Sequence, residues 1–283
     1  MIEVIRAPAH LAVQDLGFHG HRNIGLPRSG AMDPAAVQRG NALLGNAAGD
    51  AALEWALGGG SVRFTQDVVV AIMGARVHGR LGNGMIRSDL VVSAPAGTVL
   101  EIDRFSWGRF FYLCVSPSIA VEPVLGSRST YAPAKLGGYR GRRLRAGDII
   151  PLKSANEKSE AAVPAQINYA AATIRVSRGP QSDLLEGRLL THLLQNSFTI
   201  STSSDRTGYR LDGPAVDVAG LSQILSEPAC EGAIQITDGG TPIVLMADGP
   251  TIGGYNKIAV ALAADLPVLA QKTPGETVRF TLI

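Results

Sequence analysis

Short apolar runs alternate with glycine-containing turns along most of the chain. Runs such as Val68–Met73, Phe110–Val115 and Ile258–Ala263 have the length and the β-branched or aromatic content of strands. Turn sequences such as Gly82-Asn83-Gly84 and Asp238-Gly239-Gly240 separate them. Further strands are predicted at Leu90–Val92, Val99–Asp103, Ile174–Ser177, Ile234–Ile236, Ile243–Met246 and Val278–Ile283. This pattern favours antiparallel barrels or sandwiches over a parallel α/β sheet.

The first of two predicted helices precedes these apolar runs in the chain. Asp33 is suited to the N-cap and Pro34 to the first turn, because proline has no amide hydrogen to satisfy there. The helix is expected to reach Leu44 and to stop at Gly45. A period of 3.6 residues places one set of residues on a common face: Ala36, Val37, Gly40, Asn41 and Leu44.

A second helix is predicted to begin after Ser182 and to end near Asn196. Its apolar stripe consists of Leu185, Leu189, His192 and Leu193. A histidine on such a stripe is more often packed in a core than used as a ligand, so His192 is interpreted as a core residue.

One polar segment divides the strand-rich chain into two parts. Residues 153–166 are rich in alanine and charged residues and contain no strand pattern, which is typical of a linker or an exposed loop. We therefore predict an N-terminal barrel-like domain over residues 1–160 and a C-terminal barrel domain over residues 161–283.

Composition supports a turn-rich β protein and excludes several classes. Of 283 residues, 46% are apolar, 18% are charged and 33 are glycine, so a sizeable core and many turns are expected. The net charge is +2 and the longest basic run is Arg142-Arg143, which argues against nucleic-acid binding. The sequence shows neither a signal-peptide pattern at Met1 nor 18 consecutive apolar residues. With two cysteines, Cys114 and Cys230, a reducing, cytoplasmic location without membrane contact is expected.

The candidate chemistry lies in glycine-rich polar strings. Glycine lets a backbone approach a ligand closely, and successive amide groups form concavities that bind anions. Any one string has a simpler interpretation as a tight turn of a barrel. In chain order the strings are QDLG (14–17), GLPRSGAMD (25–33), GSRSTY (126–131), GPQ (179–181), SSDRTGYRL (203–211), SEP (226–228), GAIQ (232–235) and ADGPTIGGYNK (247–257).

Taken in this order, the strings resemble one family along essentially the whole chain. That family includes the C subunit of bacterial 5-oxoprolinase, allophanate hydrolase subunit 2 and the carboxyltransferase domain of urea amidolyase. The resemblance implies a mainly β chain of two cyclophilin-like β-barrel domains with a few short helices. It also implies a heteromer with a homologue of the B subunit, which is similar to allophanate hydrolase subunit 1. Two positions depart from the family pattern, Thr207 where methionine is usual and Asn256 where proline is usual, and these put the substrate preference in question.

The resemblance implies a subunit of an ATP-dependent 5-oxoprolinase that opens 5-oxoproline to glutamate and acts only with its partner subunits. The sequence has no GxxxxGK[ST] string, so ATP is expected to be held with the partner. One alternative is a carboxyltransferase subunit acting on urea or a related amide. Biotin would then reside on a separate carrier, because this chain has no Met-Lys-Met-like segment. Another alternative is a subunit that regulates a kinase through its partner.

Motif position and residue type give the candidate site. Catalytic roles are predicted for Asp248, Lys257 and Asp205, as a proton acceptor or as a charge that stabilises the reacting amide. Substrate contacts are predicted for Arg206, Tyr209, Gln14, Arg128, Ser129, Gly253 and Gly254. The segments 204–209 and 248–257 are expected to converge on one cleft. Alternatively, Asp205–Arg206 and Asp248–Lys257 form ion pairs that only pin barrel turns.

Other kinds of site find little support in the sequence. His19-Gly20-His21 has no third ligand at a recognisable spacing, so a loop is expected there and no metal site. No GxSxG string and no recognisable cysteine nucleophile motif is present, which argues against an ordinary hydrolase triad.

Overall fold

The computed structural model describes residues 1–154, 159, 162–222 and 224–283, in two compact units. The first unit comprises Met1–His19 and Ser29–Ile167, and the second comprises Gly20–Arg28 and Asn168–Ile283. The boundary predicted between residues 160 and 161 falls on residues outside the described ranges and stays a prediction. Part of the predicted linker, residues 155–158 and 160–161, also lies outside them.

The first unit is built on a nine-stranded antiparallel sheet that curls into a half-barrel. The sheet runs in the order β2-β3-β8-β4-β1-β9, and β5 pairs with β8 and also carries β6 and β7. Its concave side is filled by fully buried apolar side chains, among them Trp55, Phe64 and Phe111. The strands are β1 (Ile2–Arg6), β2 (His10–Gln14), β3 (Ala52–Ala56), β4 (Gly60–Phe64), β5 (Val68–Leu81), β6 (Gly84–Met85), β7 (Leu90–Ala94), β8 (Val99–Ser116) and β9 (Ile149–Ile150).

The long strand β8 corrects a sequence prediction. Two separate strands were expected at Val99–Asp103 and Phe110–Val115, but both belong to the single strand Val99–Ser116. The intervening polar residues stay in the ladder because β5 pairs with β8 along nearly all of its length. Ladder hydrogen bonds join backbone groups, so an exposed polar stretch does not by itself end a strand.

Helix α1 (Pro34–Leu44) confirms the first helix prediction at both ends. The Asp33 side chain accepts a hydrogen bond from the Ala36 amide at 3.0 Å, and Gly45 closes the helix in the left-handed conformation. Four of the five predicted face residues are buried, while Leu44 is half-buried. This face packs against β5 and β8.

The second unit is a closed barrel with strand order β10-β17-β14-β15-β12-β11-β18, closed by the parallel pair β10 and β18. A further two-stranded sheet, β13 with β16, lies in the same unit. This architecture confirms the mainly β class. The strands are β10 (Thr173–Arg178), β11 (Phe198–Ile200), β12 (Gly208–Asp212), β13 (Glu227–Pro228), β14 (Ala233–Ile236), β15 (Pro242–Leu245), β16 (Ile252–Gly253), β17 (Asn256–Ala261) and β18 (Thr277–Leu282).

The second predicted helix begins later than expected. Helix α2 spans Arg188–Gln195, whereas Leu184–Gly187 form a 3-10 turn in which Leu185 and Glu186 have φ of 51° and 57°. Left-handed backbone at these two positions interrupts an α-helix, so the apolar period extends further than the helix does. His192 is half-buried: its Nε2 lies 2.8 Å from the Pro214 carbonyl oxygen and its ring meets Phe198 edge-on.

A third helix was not predicted. Helix α3 (Leu266–Ala270) follows β17, and every one of its residues is buried. Its five residues are too few for an apolar period to distinguish a helix from the end of a strand.

Candidate functional site

A cluster of polar side chains gathers around Lys257 in the second unit. Lys257 lies in β17 and is 4% exposed, and its Nζ lies 2.6 Å from Glu227 Oε1 of β13. Gln181 joins both residues, because its Nε2 donates to Glu227 Oε1 at 2.8 Å and its Oε1 accepts the Lys257 amide at 2.9 Å. The cluster thus holds a buried ammonium group in a fixed position.

Local structure explains how the GPQ string reaches this place. The Gly179 amide donates to the Ile258 carbonyl at 2.9 Å and the Gln181 amide to the Lys257 carbonyl at 3.1 Å. A Cβ on Gly179 would lie 2.3 Å from the Lys257 carbonyl oxygen, so only glycine permits this approach. The GPQ string is thus hydrogen-bonded to β17 through its backbone, and this places the Gln181 side chain next to Glu227 and Lys257.

The cluster has a defined charge state. Hydrogen bonds from Lys257 and then from Gln181 lower the pKa of Glu227 below its ordinary value of 4.5. Glu227 is therefore an anion at neutral pH and balances the charge of Lys257. Its side chain is 35% exposed, so the pair is buried on the lysine side and open on the carboxylate side.

Gln235 adds an unsatisfied donor beside this pair. It lies directly opposite Lys257 in the β14–β17 ladder, and opposite residues of antiparallel strands project to the same face. Gln235 is 4% exposed, and within the described chain its Nε2 has no hydrogen-bond acceptor. A Cβ added to Gly253 would come within 3.1 Å of this nitrogen. Since buried donors are nearly always paired, Gln235 is a candidate to bind a ligand oxygen.

Asn256 and Gly254 complete the surroundings of the Lys257 cluster. The Asn256 side chain donates to the Ser222 carbonyl at 3.1 Å, while its Oδ1 is buried and has no donor among the residues described. A Cβ on Gly254 would lie 3.1 Å from the Ile224 carbonyl oxygen, so the backbone at Gly254 lies close to the backbone at Ile224. Two of the predicted substrate contacts, Gly253 and Gly254, thus lie in the segment that carries Lys257.

A second ion pair joins Arg206 to Asp248. Arg206 Nε and Nη2 each donate to one Asp248 oxygen at 2.8 Å, and both side chains are 11% exposed. Backbone bonds support this fork: the Asp248 amide donates to the Arg206 carbonyl at 2.9 Å and the Met246 amide to the Thr207 carbonyl at 3.0 Å. The strings SSDRTGYRL and ADGPTIGGYNK therefore meet at Arg206 and Asp248.

The ion pairs differ from the alternative drawn from the sequence. In that alternative, the ion pairs were Asp205–Arg206 and Asp248–Lys257. Arg206 instead pairs with Asp248, and Lys257 pairs with Glu227. The choice of partner follows the tertiary structure. The pairing of β12 with β15 brings the segments of Arg206 and Asp248 together, whereas the partner of Lys257 comes from β13 of the separate two-stranded sheet.

Asp205 and Tyr209 form hydrogen bonds within the second unit. Asp205 Oδ1 accepts the Thr207 amide at 2.8 Å and the Gly208 amide at 3.3 Å, which fixes the turn into β12. Tyr209 is fully buried, and its hydroxyl donates to the Ala270 carbonyl at 2.7 Å. The catalytic role of Asp205 and the substrate contact of Tyr209 stay predictions.

The remaining predicted residues lie in the first unit around Asp15. Asp15 accepts hydrogen bonds from the hydroxyls of Ser127 at 2.6 Å and Ser129 at 2.5 Å, and from the Arg128 amide at 2.5 Å. Gln14 donates to the Thr130 carbonyl at 3.1 Å, and its buried Oε1 has no donor among the described residues. The strings QDLG and GSRSTY thus form one bonded structure.

Sequence reasoning missed Gln181, Glu227 and Gln235 as site residues, although each belongs to a string noted above. They stand in GPQ, SEP and GAIQ. The strings contained these residues, but only the folded second unit places them next to Lys257: Gln235 lies in a barrel strand, Glu227 in the two-stranded sheet and Gln181 in the turn after β10.

Some other chemistries can be judged from the described residues. Burial raises the pKa of the Cys114 thiol to about 12, so its thiolate does not form near neutral pH. No group of three or more metal-ligating side chains occurs in the part of the chain that the structure describes. Its helices are all too short or too polar to cross a membrane.

Comparison with known proteins agrees with the family suggested by the strings. Residues 24–282 match the family described as carboxyltransferase domain, subdomain A and B. The chain is 34% identical to the C subunit of 5-oxoprolinase from Haemophilus influenzae, over 100% of this chain and 91% of that protein. It is 35% identical to the C subunit of 5-oxoprolinase from Escherichia coli, over 99% of this chain and 90% of that protein.

A solved structure shows the same fold within a much larger protein. The urea carboxylase of Kluyveromyces lactis superposes with a TM-score of 0.90 at 30% identity over the whole of this chain. This chain spans only 27% of that protein, so the shared part is one region of a larger enzyme.

Proposed function

The chain belongs to the carboxyltransferase subdomain A and B family, and from that premise we propose that it is the C subunit of an ATP-dependent 5-oxoprolinase. The observation that carries this proposal is the match to two proteins named as the C subunit of 5-oxoprolinase, each over about nine-tenths of its length. The proposed reaction opens the lactam of 5-oxoproline to give glutamate. We propose that activity requires partner subunits, including a homologue of the B subunit.

The chemistry of the Lys257 cluster suits a lactam. Opening a resonance-stabilised amide places negative charge on its oxygen, and a fixed buried cation or amide donor stabilises that charge. Lys257 supplies the cation, Glu227 and Gln181 hold it in place, and the unpaired Nε2 of Gln235 supplies a donor on the same face.

The Arg206–Asp248 fork is proposed to orient the substrate. An arginine held in two-point contact has a fixed plane, which suits recognition of a carboxylate such as that of 5-oxoproline. Asp248 keeps its proposed catalytic role, as acceptor of the lactam N–H. Gln14, Arg128 and Ser129 stay proposed substrate contacts without an assigned step.

ATP, when bound, would supply a phosphoryl group that activates the amide oxygen. The sequence contains no GxxxxGK[ST] string, so ATP is proposed to be held together with the partner subunit. This chain's part in the reaction is then to position the lactam and to stabilise charge.

Lys257→Met in the complex reconstituted with its partner subunits tests the proposal. Loss of the ammonium should lower ATP-dependent hydrolysis of 5-oxoproline by about 100-fold or more, the range found for removal of a charge-stabilising donor. Assembly, measured by size-exclusion chromatography, should not change. Lys272→Met is the matched control, because Lys272 is another mostly buried lysine of the same unit and faces Glu276. Full activity of Lys257→Met would contradict the role of the cluster.

A second function has specific support. The likeness to urea carboxylase favours a carboxyltransferase subunit that uses carboxybiotin on a separate carrier. Lys257 would then hold the transferred carboxylate and Gln235 the acceptor amide. A wild-type complex that is inactive on 5-oxoproline but carboxylates urea in the presence of a biotinylated carrier would select this function.

A further inference from the structure

A cavity of about 850 Å³ opens in the first unit between residues 5–9 and the segment 132–146. Among the described residues, no acidic side chain lines it. Its rim carries six cationic side chains: Arg6, Lys135, Arg140, Arg142, Arg143 and Arg145. We call this cavity the arginine pocket.

Few carboxylates offset this charge. The two terminal nitrogens of Arg142 donate to the two carboxylate oxygens of Asp148 at 2.7 and 2.8 Å. Glu101 Oε1 lies 3.6 Å from Arg6 Nη2. Arg140 acts on Asp148 only through its charge, which helps to lower the pKa of that carboxyl. Among the residues that the structure describes, Lys135, Arg143 and Arg145 form no ion pair with a carboxylate. Six cations and two carboxylates leave an excess of four positive charges, whereas the whole chain carries +2.

The backbone of this segment is strained at two of the cationic residues. Lys135 and Arg140 have φ of 53° and 58°, in the left-handed region that costs free energy for any residue with a side chain. Gly141 closes the loop, where a Cβ would lie 2.0 Å from the Lys135 carbonyl oxygen. Glycine would suit positions 135 and 140 better, yet both hold long cations. Such strain is characteristic of functional loops.

The aromatic ring of Tyr139 contacts the guanidinium groups of Arg140 and Arg142. The guanidinium carbon of Arg140 lies 5.1 Å from the centre of this ring, and that of Arg142 lies 5.7 Å away. Contacts of this kind orient guanidinium groups without neutralising them.

We propose that the arginine pocket binds a chain of phosphate groups that carries three to four negative charges. Guanidinium groups bind phosphate oxygens in two-point geometry, and the charge excess matches a triphosphate. The volume lies within the range of small-molecule sites, and the concave rim surrounds a compact anion better than an extended acidic surface. The residues that line the pocket belong to the first unit, whereas the Lys257 cluster belongs to the second, and the proposal does not depend on the lactam chemistry of Lys257.

Calorimetric titration of the full chain with inorganic tripolyphosphate tests the proposal. The wild-type chain should bind with an affinity that falls as salt is raised, because exposed charges are screened. Arg140→Gly and Arg145→Gln should each weaken binding by at least about tenfold, since each removes a charge-assisted donor. Arg104→Gln is the control, because Arg104 is an exposed arginine of β8 outside the pocket, and it should bind as the wild type does.

Arg140→Gly also separates binding from folding. Glycine relieves the left-handed strain, so this variant should melt at the same temperature as the wild type or higher while it loses affinity. ATP and citrate then identify the ligand. If ATP and tripolyphosphate bind with equal affinity, the pocket recognises the phosphates alone. If ATP binds much more tightly, the ligand is a nucleotide. Equal binding of citrate, or tripolyphosphate binding that survives both variants, would overturn the proposal.

Discussion

At the scale of single residues, Glu54 shows how a buried charge organises the first unit. It is fully buried in β3, and it accepts hydrogen bonds from the Met32 amide at 2.9 Å and from the Tyr112 hydroxyl at 2.8 Å. Its other oxygen lies 2.9 Å from His10 Nε2. Tyr112 in turn accepts the Asp33 amide at 2.8 Å, so this network fixes the entry into α1. Burial and then the charge of Glu54 raise the pKa of Tyr112 well above its ordinary value.

Tyr112→Phe should therefore destabilise the first unit. The change removes a donor from Glu54 and the acceptor from the Asp33 amide, and a buried polar group left unpaired costs about 1–3 kcal/mol. Urea unfolding would measure this loss as a lower midpoint. Tyr139→Phe is the control, because Tyr139 is only half-buried. An unchanged midpoint for Tyr112→Phe would show that the network contributes nothing net.

At the scale of elements, α1 depends on a close approach to the sheet. Gly40 lies on its buried face, and a Cβ there would meet Cys114 Sγ at 2.6 Å and Met73 Cγ at 2.8 Å. These two residues belong to β8 and β5, so glycine sets the distance between the helix and the two longest strands.

Gly40→Ala is expected to lower stability in spite of the better helix propensity of alanine. Propensity favours alanine by up to about 1 kcal/mol, whereas overpacking a dense core costs about 1–3 kcal/mol. Both contacted side chains are fully buried and must move. Thermal unfolding should show a lower Tm, and Cys114→Ala in the same chain should restore part of it. A Tm raised by Gly40→Ala alone would mean that the core absorbs the methyl group.

At the scale of the whole molecule, each unit carries a carboxylate whose pKa is lowered by arginine. Hydrogen bonds from Arg142 lower the pKa of Asp148 in the first unit, and hydrogen bonds from Arg175 lower that of Asp265 in the second. A carboxylate with a lowered folded pKa contributes stability above its unfolded pKa, here about 3.8, and loses it as pH falls through the lower folded value.

The chain should thus lose stability steeply below about pH 4, since the unfolded carboxylates take up protons there before the folded ones do. Asp265→Asn should lower Tm at pH 7, and its Tm should fall less steeply than that of the wild type between about pH 5 and about pH 3. Asp183→Asn, whose carboxylate is 92% exposed, should leave the profile unchanged. A profile for Asp265→Asn that parallels the wild type would contradict the assignment of this dependence to Asp265.

The sequence by itself determined the mainly β class, helix α1 with its caps Asp33 and Gly45, and the family. These features depend on short stretches of sequence. The helix is defined by its cap, its first-turn proline and its closing glycine, and the family is recognised from glycine-rich strings of a few residues each. It also identified the segments that hold Lys257 and the Arg206–Asp248 fork. The catalytic and substrate roles given to individual residues remain predictions.

Only the tertiary structure decided which charges meet. Arg206 and Asp248 stand 42 positions apart, and Lys257 lies beside Gln235 because β14 pairs with β17. The start of α2 was decided by two left-handed residues that an apolar period cannot reveal. The arginine pocket likewise joins the chain near Arg6 to the segment around Arg140. Such pairings depend on strand register and chain closure, which bring together distant residues that no local pattern connects.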